Sequence, residues 1–145
     1  MSNHSRLHKP AYIGPGIWYT MHTLAASAKT EDDKKQVVNQ IKHLQSKFPC
    51  EECKLHFWNY INSHPLENSI IGNEDSLFLW TFNFHNAVNF RLGKSQVSYD
   101  EAKNIFLNDM IFCSADCDSD SIELTTKQNK SSTKIYPSDM PGYMF

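Results

Sequence analysis

Val37, Val38, Ile41, Leu44 and Phe48 fall on one face of a helix, and Pro49 ends that run immediately before Cys50-Glu51-Glu52-Cys53. Apolar side chains at this spacing predict a helix that must bury its face against a partner. Proline cannot continue such a helix, but it suits the start of another. Two helices therefore meet at Pro49, with a cysteine pair at the joint. Thr30 is an N-cap for the first of them, with Glu31, Asp32 and Asp33 in the opening turn, where negative charge complements the helix dipole. The second is expected from Cys50 to about Asn62, ending near Pro65.

The remaining pattern is helical too, without convincing strand alternation. An earlier helix is expected from about Pro15 to Ala28, after Gly14. Beyond a loop containing Gly72 and Asn73, Asp75 or Ser76 caps a helix that lasts to Arg91 and stops at Gly93. A shorter fifth helix fits Tyr99 to Met110. The fold class is therefore all-α, with one bundle over residues 11–112. A length of 145 residues is about one domain, and a hydrophobic share of 40% is enough to fill its core. From Asp118 the chain turns to Ser, Thr, Asp, Lys and Asn, so residues 113–145 are expected to form a flexible tail. The apolar groups between Ile135 and Phe145 are the part of it able to dock.

A formal charge of −2 argues against a basic face for nucleic acid or an anionic membrane. No apolar run approaches the roughly 18 residues of a membrane span. Residues 1–10 lack the apolar region of a secretory signal, which points to a reducing, cytoplasmic setting where structural disulfides are rare. The four cysteines fall into two close pairs, Cys50 with Cys53 and Cys113 with Cys117, rather than a scattered framework.

The first pair admits an inert disulfide, half a zinc site, or dithiol redox chemistry. Zinc needs four ligands; Cys113 and Cys117, or His56 and His64, are candidates at no common finger spacing. Thioredoxin-like chemistry asks for a βαβ context that is missing. Opening a helix, Cys50 sits where free backbone N–H groups and the dipole favour a thiolate, and Cys53 follows one turn later on the same side. Trp18 and His22 share a face four residues apart, a seat for a planar heterocycle. His85 and Asn89 repeat that step beside Trp80, Phe84 and Val88, with Asn86 flanking. Polar groups on so apolar a helix need partners, within the core or in a ligand. Lys94, past the helix end, can supply charge to a phosphate or stay solvated.

Gly14 with Trp18 and His22, the run Pro49-Cys50-Glu51-Glu52-Cys53, and Trp80 with His85-Asn86-x-Val88-Asn89-x-x-Leu92-Gly93-Lys94 together resemble the Erv/ALR family of FAD-linked sulfhydryl oxidases. The three blocks stand in family order over about residues 11–109. The resemblance implies a four-helix bundle with a short fifth helix, FAD at its mouth, and a homodimer. It implies Cys50 and Cys53 as the catalytic pair. Gly14, Trp18, His22, His85, Asn86, Val88, Asn89 and Lys94 are then the FAD-binding set, and no metal is expected. Where family members carry a tyrosine after the first-helix histidine, Ser27 and Ala28 stand here. Tyr99, Lys103 and Phe106 are the nearest candidates for a late aromatic contact. No cysteine pair is present to staple the first and fourth helices.

The expected reaction passes electrons from protein dithiols through Cys50–Cys53 and FAD to oxygen, giving hydrogen peroxide. Clients are reached directly or through a thioredoxin-like intermediary. Cys113 and Cys117 are expected to shuttle electrons to the first pair, the alternatives being a tail-anchoring disulfide or two unpaired thiols. The compact length resembles the forms encoded by large DNA viruses, which places the chain in host cytoplasm or virion ahead of the mitochondrial intermembrane space. A zinc-stabilised helical interaction module without catalysis is the alternative from another class, and a flavin-free disulfide carrier a third.

Overall fold

A computed structural model of the chain describes residues 10–108 and two short strands, 122–124 and 133–135. Four long helices, α1 (Pro10–Ser27), α2 (Glu31–Lys47), α3 (Glu51–Ser63) and α5 (Ser76–Arg91), form the expected all-α bundle. A single-turn helix α4 (Glu67–Ile70) and a short α6 (Tyr99–Lys103), which widens into a π-helical turn over Asn104–Asn108, complete it. Among the described residues no helix is long and apolar enough to cross a membrane.

The boundaries follow local chemistry. Thr30 caps α2 with a reciprocal box: the Asp33 N–H donates to Thr30 Oγ1 at 3.1 Å, and the Asp33 carboxylate accepts from the Thr30 N–H. Ser98 and Glu101 repeat this device at the start of α6. Helix α1 begins earlier than expected: Pro15 lies inside it and costs one backbone hydrogen bond without ending it. Helix α4 is too short to leave a periodic trace in the sequence. So are the strands Ile122–Leu124 and Thr133–Ile135, three residues each and paired antiparallel, which leave the all-α class unchanged.

Helix α5 is the central element. Leu77, Phe78, Trp80, Thr81, Phe82, Phe84, His85 and Asn89 are all buried, so it is enclosed on most of its circumference. Phe84 gathers the neighbouring helices, with ring centroids 5.1 Å from Trp18 of α1, and 4.6 Å and 4.7 Å from Phe57 and Tyr60 of α3. At the opposite end, buried Lys34 of α2 donates to the carbonyls of Gly72 and Asn73 and to Ser76 Oγ, fastening the loop that leads into α5. Glycine is required at position 72, since a Cβ there would fall 2.5 Å from that of Ser76. Cys113, Cys117 and, of the expected docking segment, everything after Ile135 lie outside the described residues.

Candidate redox and ligand site

Cys50 is the N-cap of α3, held in extended geometry with its Cα 5.2 Å from that of Cys53 and its sulfur bonded to the Cys53 sulfur. The Cys53 N–H points at Cys50 Sγ from 3.3 Å. When the disulfide opens, this donor and the helix dipole stabilise a thiolate on Cys50. Glu51 and Glu52, in the first turn, oppose that effect. Glu52 lies 3.6 Å from His56 Nε2 and 3.8 Å from Arg91 Nη1, and such exposed pairs are worth little on their own.

The disulfide opens into a cleft of about 500 Å³ between α1, α3 and α5. Gly14, Trp18, His85, Val88, Asn89 and Lys94 line the same cleft, so it unites most of the residues singled out from the sequence. Trp18 and His85 form a flat wall: their ring centroids are 4.0 Å apart and their planes differ by 2°. His22 lies behind this wall, fully buried, with Nε2 2.9 Å from His85 Nδ1 and Nδ1 3.0 Å from Thr81 Oγ1. Burial pushes the pKa of His22 far below its usual value; burial, then the neighbouring His22 and the Lys94 charge, do the same for His85. Both rings are therefore neutral at physiological pH.

Asn89 Nδ2 is buried and has no hydrogen-bond partner. An unpaired buried donor is costly, so its position on a cleft wall signals a missing acceptor. Lys94 is placed by the helix end: Gly93 takes a left-handed φ of 68°, Lys94 N–H bonds to Asn89 O at 2.8 Å, and Gly93 N–H to Phe90 O at 3.1 Å. This paired C-terminal motif turns the chain so that Lys94 borders the cleft.

Two of the expected binding residues lie off the cleft. His22 supports it from behind. Asn86 faces the segment before α6, its amide donating to Val97 O at 2.9 Å and accepting from Val97 N–H at 3.3 Å. Tyr99 packs on Phe78 and Phe82, and Phe106 on His22 and Tyr19; neither these two nor Lys103 borders the cleft. Conversely, Met21, Phe48, Phe57, His56 and Arg91 line it without having been selected as binding residues. His56, one turn beyond Cys53, had a signal in its spacing; Phe48 reads from sequence as core, and Phe57 carried no signal of its own. Among the described residues no three His, Cys, Asp or Glu side chains gather as metal ligands.

A helix-capping disulfide sharing a cleft with a flat aromatic wall defines a dithiol redox protein with a seat for a planar ligand. The chain belongs to the Erv1/Alr family, whose family model matches residues 15–108. It is 33% identical over 96 residues to the FAD-linked sulfhydryl oxidase of African swine fever virus (isolate Pig/Kenya/KEN-50/1950), covering 64% of this chain and 78% of that one. It is 34% identical over 100 residues to the putative FAD-linked sulfhydryl oxidase 096R of Invertebrate iridescent virus 3, covering 67% and 65%. Against the FAD-linked sulfhydryl oxidase ERV1 of Arabidopsis thaliana it is 34% identical over 85 residues, covering 57% and 43%.

The neutral histidines carry a pH signature. Their folded pKa values lie below the unfolded value near 6.5, so the unfolded chain binds more protons once pH falls beneath it. Stability is fully present above about pH 6.5 and is expected to fall below it by up to about 1.4 kcal/mol per pH unit for each histidine. Urea unfolding at pH 7, 6 and 5 measures this, and equal stabilities at the three pH values would contradict the buried neutral pair.

Proposed function

We propose that the chain is an FAD-linked thiol oxidase that forms disulfide bonds in protein clients and uses oxygen as the final acceptor. One observation carries the reading: the Cys50–Cys53 disulfide and the Trp18–His85 wall open onto a single cleft. Family membership and relatives that are named FAD-linked sulfhydryl oxidases support it.

The residues present fit the cofactor. The flat wall offers stacking to a heterocycle, and Asn89 Nδ2 offers a donor in need of an acceptor. A Cβ on Gly14 would meet no atom of the described residues within 4 Å, so the space beside it is open to a ligand. Gly14, Trp18, His85, Val88 and Asn89 would hold FAD, with Lys94 charge-paired to its phosphates; His22 and Asn86 would act from behind, bracing the wall and the adjoining loop. Bound FAD supplies the two-electron chemistry that connects the dithiol to oxygen and yields hydrogen peroxide.

The protein's own part is thiol–disulfide exchange. A client thiolate attacks Cys50 Sγ, breaking its bond to Cys53 and forming a mixed disulfide; Cys53 leaves as a thiolate. The second client thiol then attacks the client sulfur of that mixed disulfide, closing the client disulfide and releasing Cys50 as a thiolate. The pair now holds the two electrons, with Cys53 the member that passes them on. The proposal includes a homodimer, for which the surface-exposed Trp58, Ile71 and Phe90 are available apolar groups. It also includes action in host cytoplasm or virion, in keeping with the viral relatives, and clients reached directly or through a thioredoxin-like protein.

Oxygen consumption with a reduced protein substrate tests the reaction. Cys53→Ser is expected to remain yellow and lose essentially all turnover; a variant that keeps oxidising thiols would overturn the proposed route. Cys113 and Cys117 are proposed as the shuttle between clients and Cys50. The double variant Cys113→Ser, Cys117→Ser should then keep activity on a small dithiol and lose it on protein clients, and full activity on both would dismiss the shuttle.

A further inference from the structure

Arg91, in the last turn of α5, and His56, one turn beyond Cys53 on α3, both line the cleft into which the disulfide opens. One oxygen of the Glu52 carboxylate stands 3.6 Å from His56 Nε2 and 3.8 Å from Arg91 Nη1. Neither distance is that of a hydrogen bond. The Glu52 side chain is 78% exposed, against 35% for Arg91 and 39% for His56. The two nitrogen groups are thus seated in the wall, while the carboxylate that faces them is held loosely. Among the described residues Glu52 is the only carboxylate lining the cleft, which Arg91 shares with the Lys94 charge. Glu51, the other acid of that first turn, is taken up by Lys54 Nζ at 3.1 Å.

We propose that Arg91, with His56 beside it, is a carboxylate-binding subsite of the exchange reaction, selecting dithiols that carry an acidic side chain next to the attacking thiol. Glu52 occupies the subsite until such a carboxylate displaces it. The inference rests on the thiol oxidase reading above and deepens it by naming a substrate class. A carboxylate beside a thiol disfavours the thiolate, so acid-flanked dithiols are intrinsically slow donors in exchange. An arginine that pairs with that carboxylate at the disulfide offsets the penalty there. The guanidinium suits the task, because its planar fork of N–H groups matches a carboxylate edge. Since Glu52 makes no hydrogen bond to either wall group, replacing it breaks none. The bonds made and broken are those of the exchange already described. The chain's second cysteine pair has this composition: Cys117 stands between Asp116 and Asp118, with Asp120 close behind, all of them outside the described residues. The carboxylate comes from that pair or from a client protein.

Two dithiol peptides test the subsite, one with the sequence of residues 111–120 and one with Asn in place of Asp116, Asp118 and Asp120. Each reduces the Cys50–Cys53 disulfide of the full-length protein carrying Cys113→Ser and Cys117→Ser, and acid quenching with mass spectrometry gives the rates. At low salt the acidic peptide is expected to react about fivefold faster, the scale of one exposed ion pair. Toward hydroxyethyl disulfide, which is neutral, it is the slower of the two. The preference should fall toward one at about 0.5 M salt. Arg91→Gln is expected to abolish it and Arg91→Lys to keep part of it, whereas Glu52→Gln removes the competing carboxylate and should increase it. Equal rates for the two peptides, or a preference that Arg91→Gln leaves intact, would overturn the proposal. Should Arg91→Gln fail to fold, a preference unmoved by Glu52→Gln overturns it equally. The source of the carboxylate is read in the chain with all four cysteines. Asp116→Asn with Asp118→Asn slows oxidation of a protein client if the second pair supplies it, and leaves that rate unchanged if the client does. A protein that takes up no FAD would refute the proposed function, while the peptide rates need no flavin and still decide the subsite.

Discussion

The hydrogen bond between His22 and His85 is the contact on which the site depends. It joins α1 to α5 in the middle of the core, where no water competes and a wrong register would strand two imidazoles without partners. Trp18 stands one turn before His22, and Asn89 one turn after His85. Fixing that one contact therefore stacks Trp18 on His85 and aims the Asn89 amide at the same cleft. A shift of either helix by a turn would break the wall, the buried pair and the link to Thr81 together.

Aromatic packing supplies the complementary constraint. Phe84, one residue before His85, packs on Trp18 of α1 and on Phe57 and Tyr60 of α3. Phe57 lies one turn beyond Cys53, so this packing brings the helix that begins with the disulfide against the wall built by α1 and α5. The buried polar pair sets the register and the aromatic cluster sets the distance of α3. Surface ion pairs such as Lys35 with Glu31 and Asp32 are largely exposed and add little to either.

Much of this was legible in the sequence because it rests on local rules. The Thr30 cap, the Pro49 break and the Gly93 stop each act through neighbouring residues, and the corresponding helices lie where the pattern put them. The i, i+4 pairs Trp18–His22 and His85–Asn89 also signalled shared faces. What was not legible depends on contacts between distant segments. Lys34 resembles any surface lysine until Gly72, Asn73 and Ser76 fold over it. Asn86 and Asn89 carry the same side chain, yet one fastens a loop and the other faces the cleft, a difference set by the return of Val97. Thr81 reads as a filler residue on an apolar helix, and only the placement of His22 opposite it gives its hydroxyl an imidazole partner.

The central claim is that the Cys50–Cys53 disulfide and a flavin in the adjoining cleft form one electron path. Anaerobic titration of the full-length, yellow protein with a dithiol, followed through the flavin absorbance, tests it most directly. With the disulfide and the flavin each accepting two electrons, the account predicts complete bleaching by about two dithiol equivalents when the disulfide is the only other acceptor. That count is made on the chain with Cys113 and Cys117 replaced by serine. A colourless purified protein, or a flavin that stays oxidised while the disulfide is reduced, would contradict it.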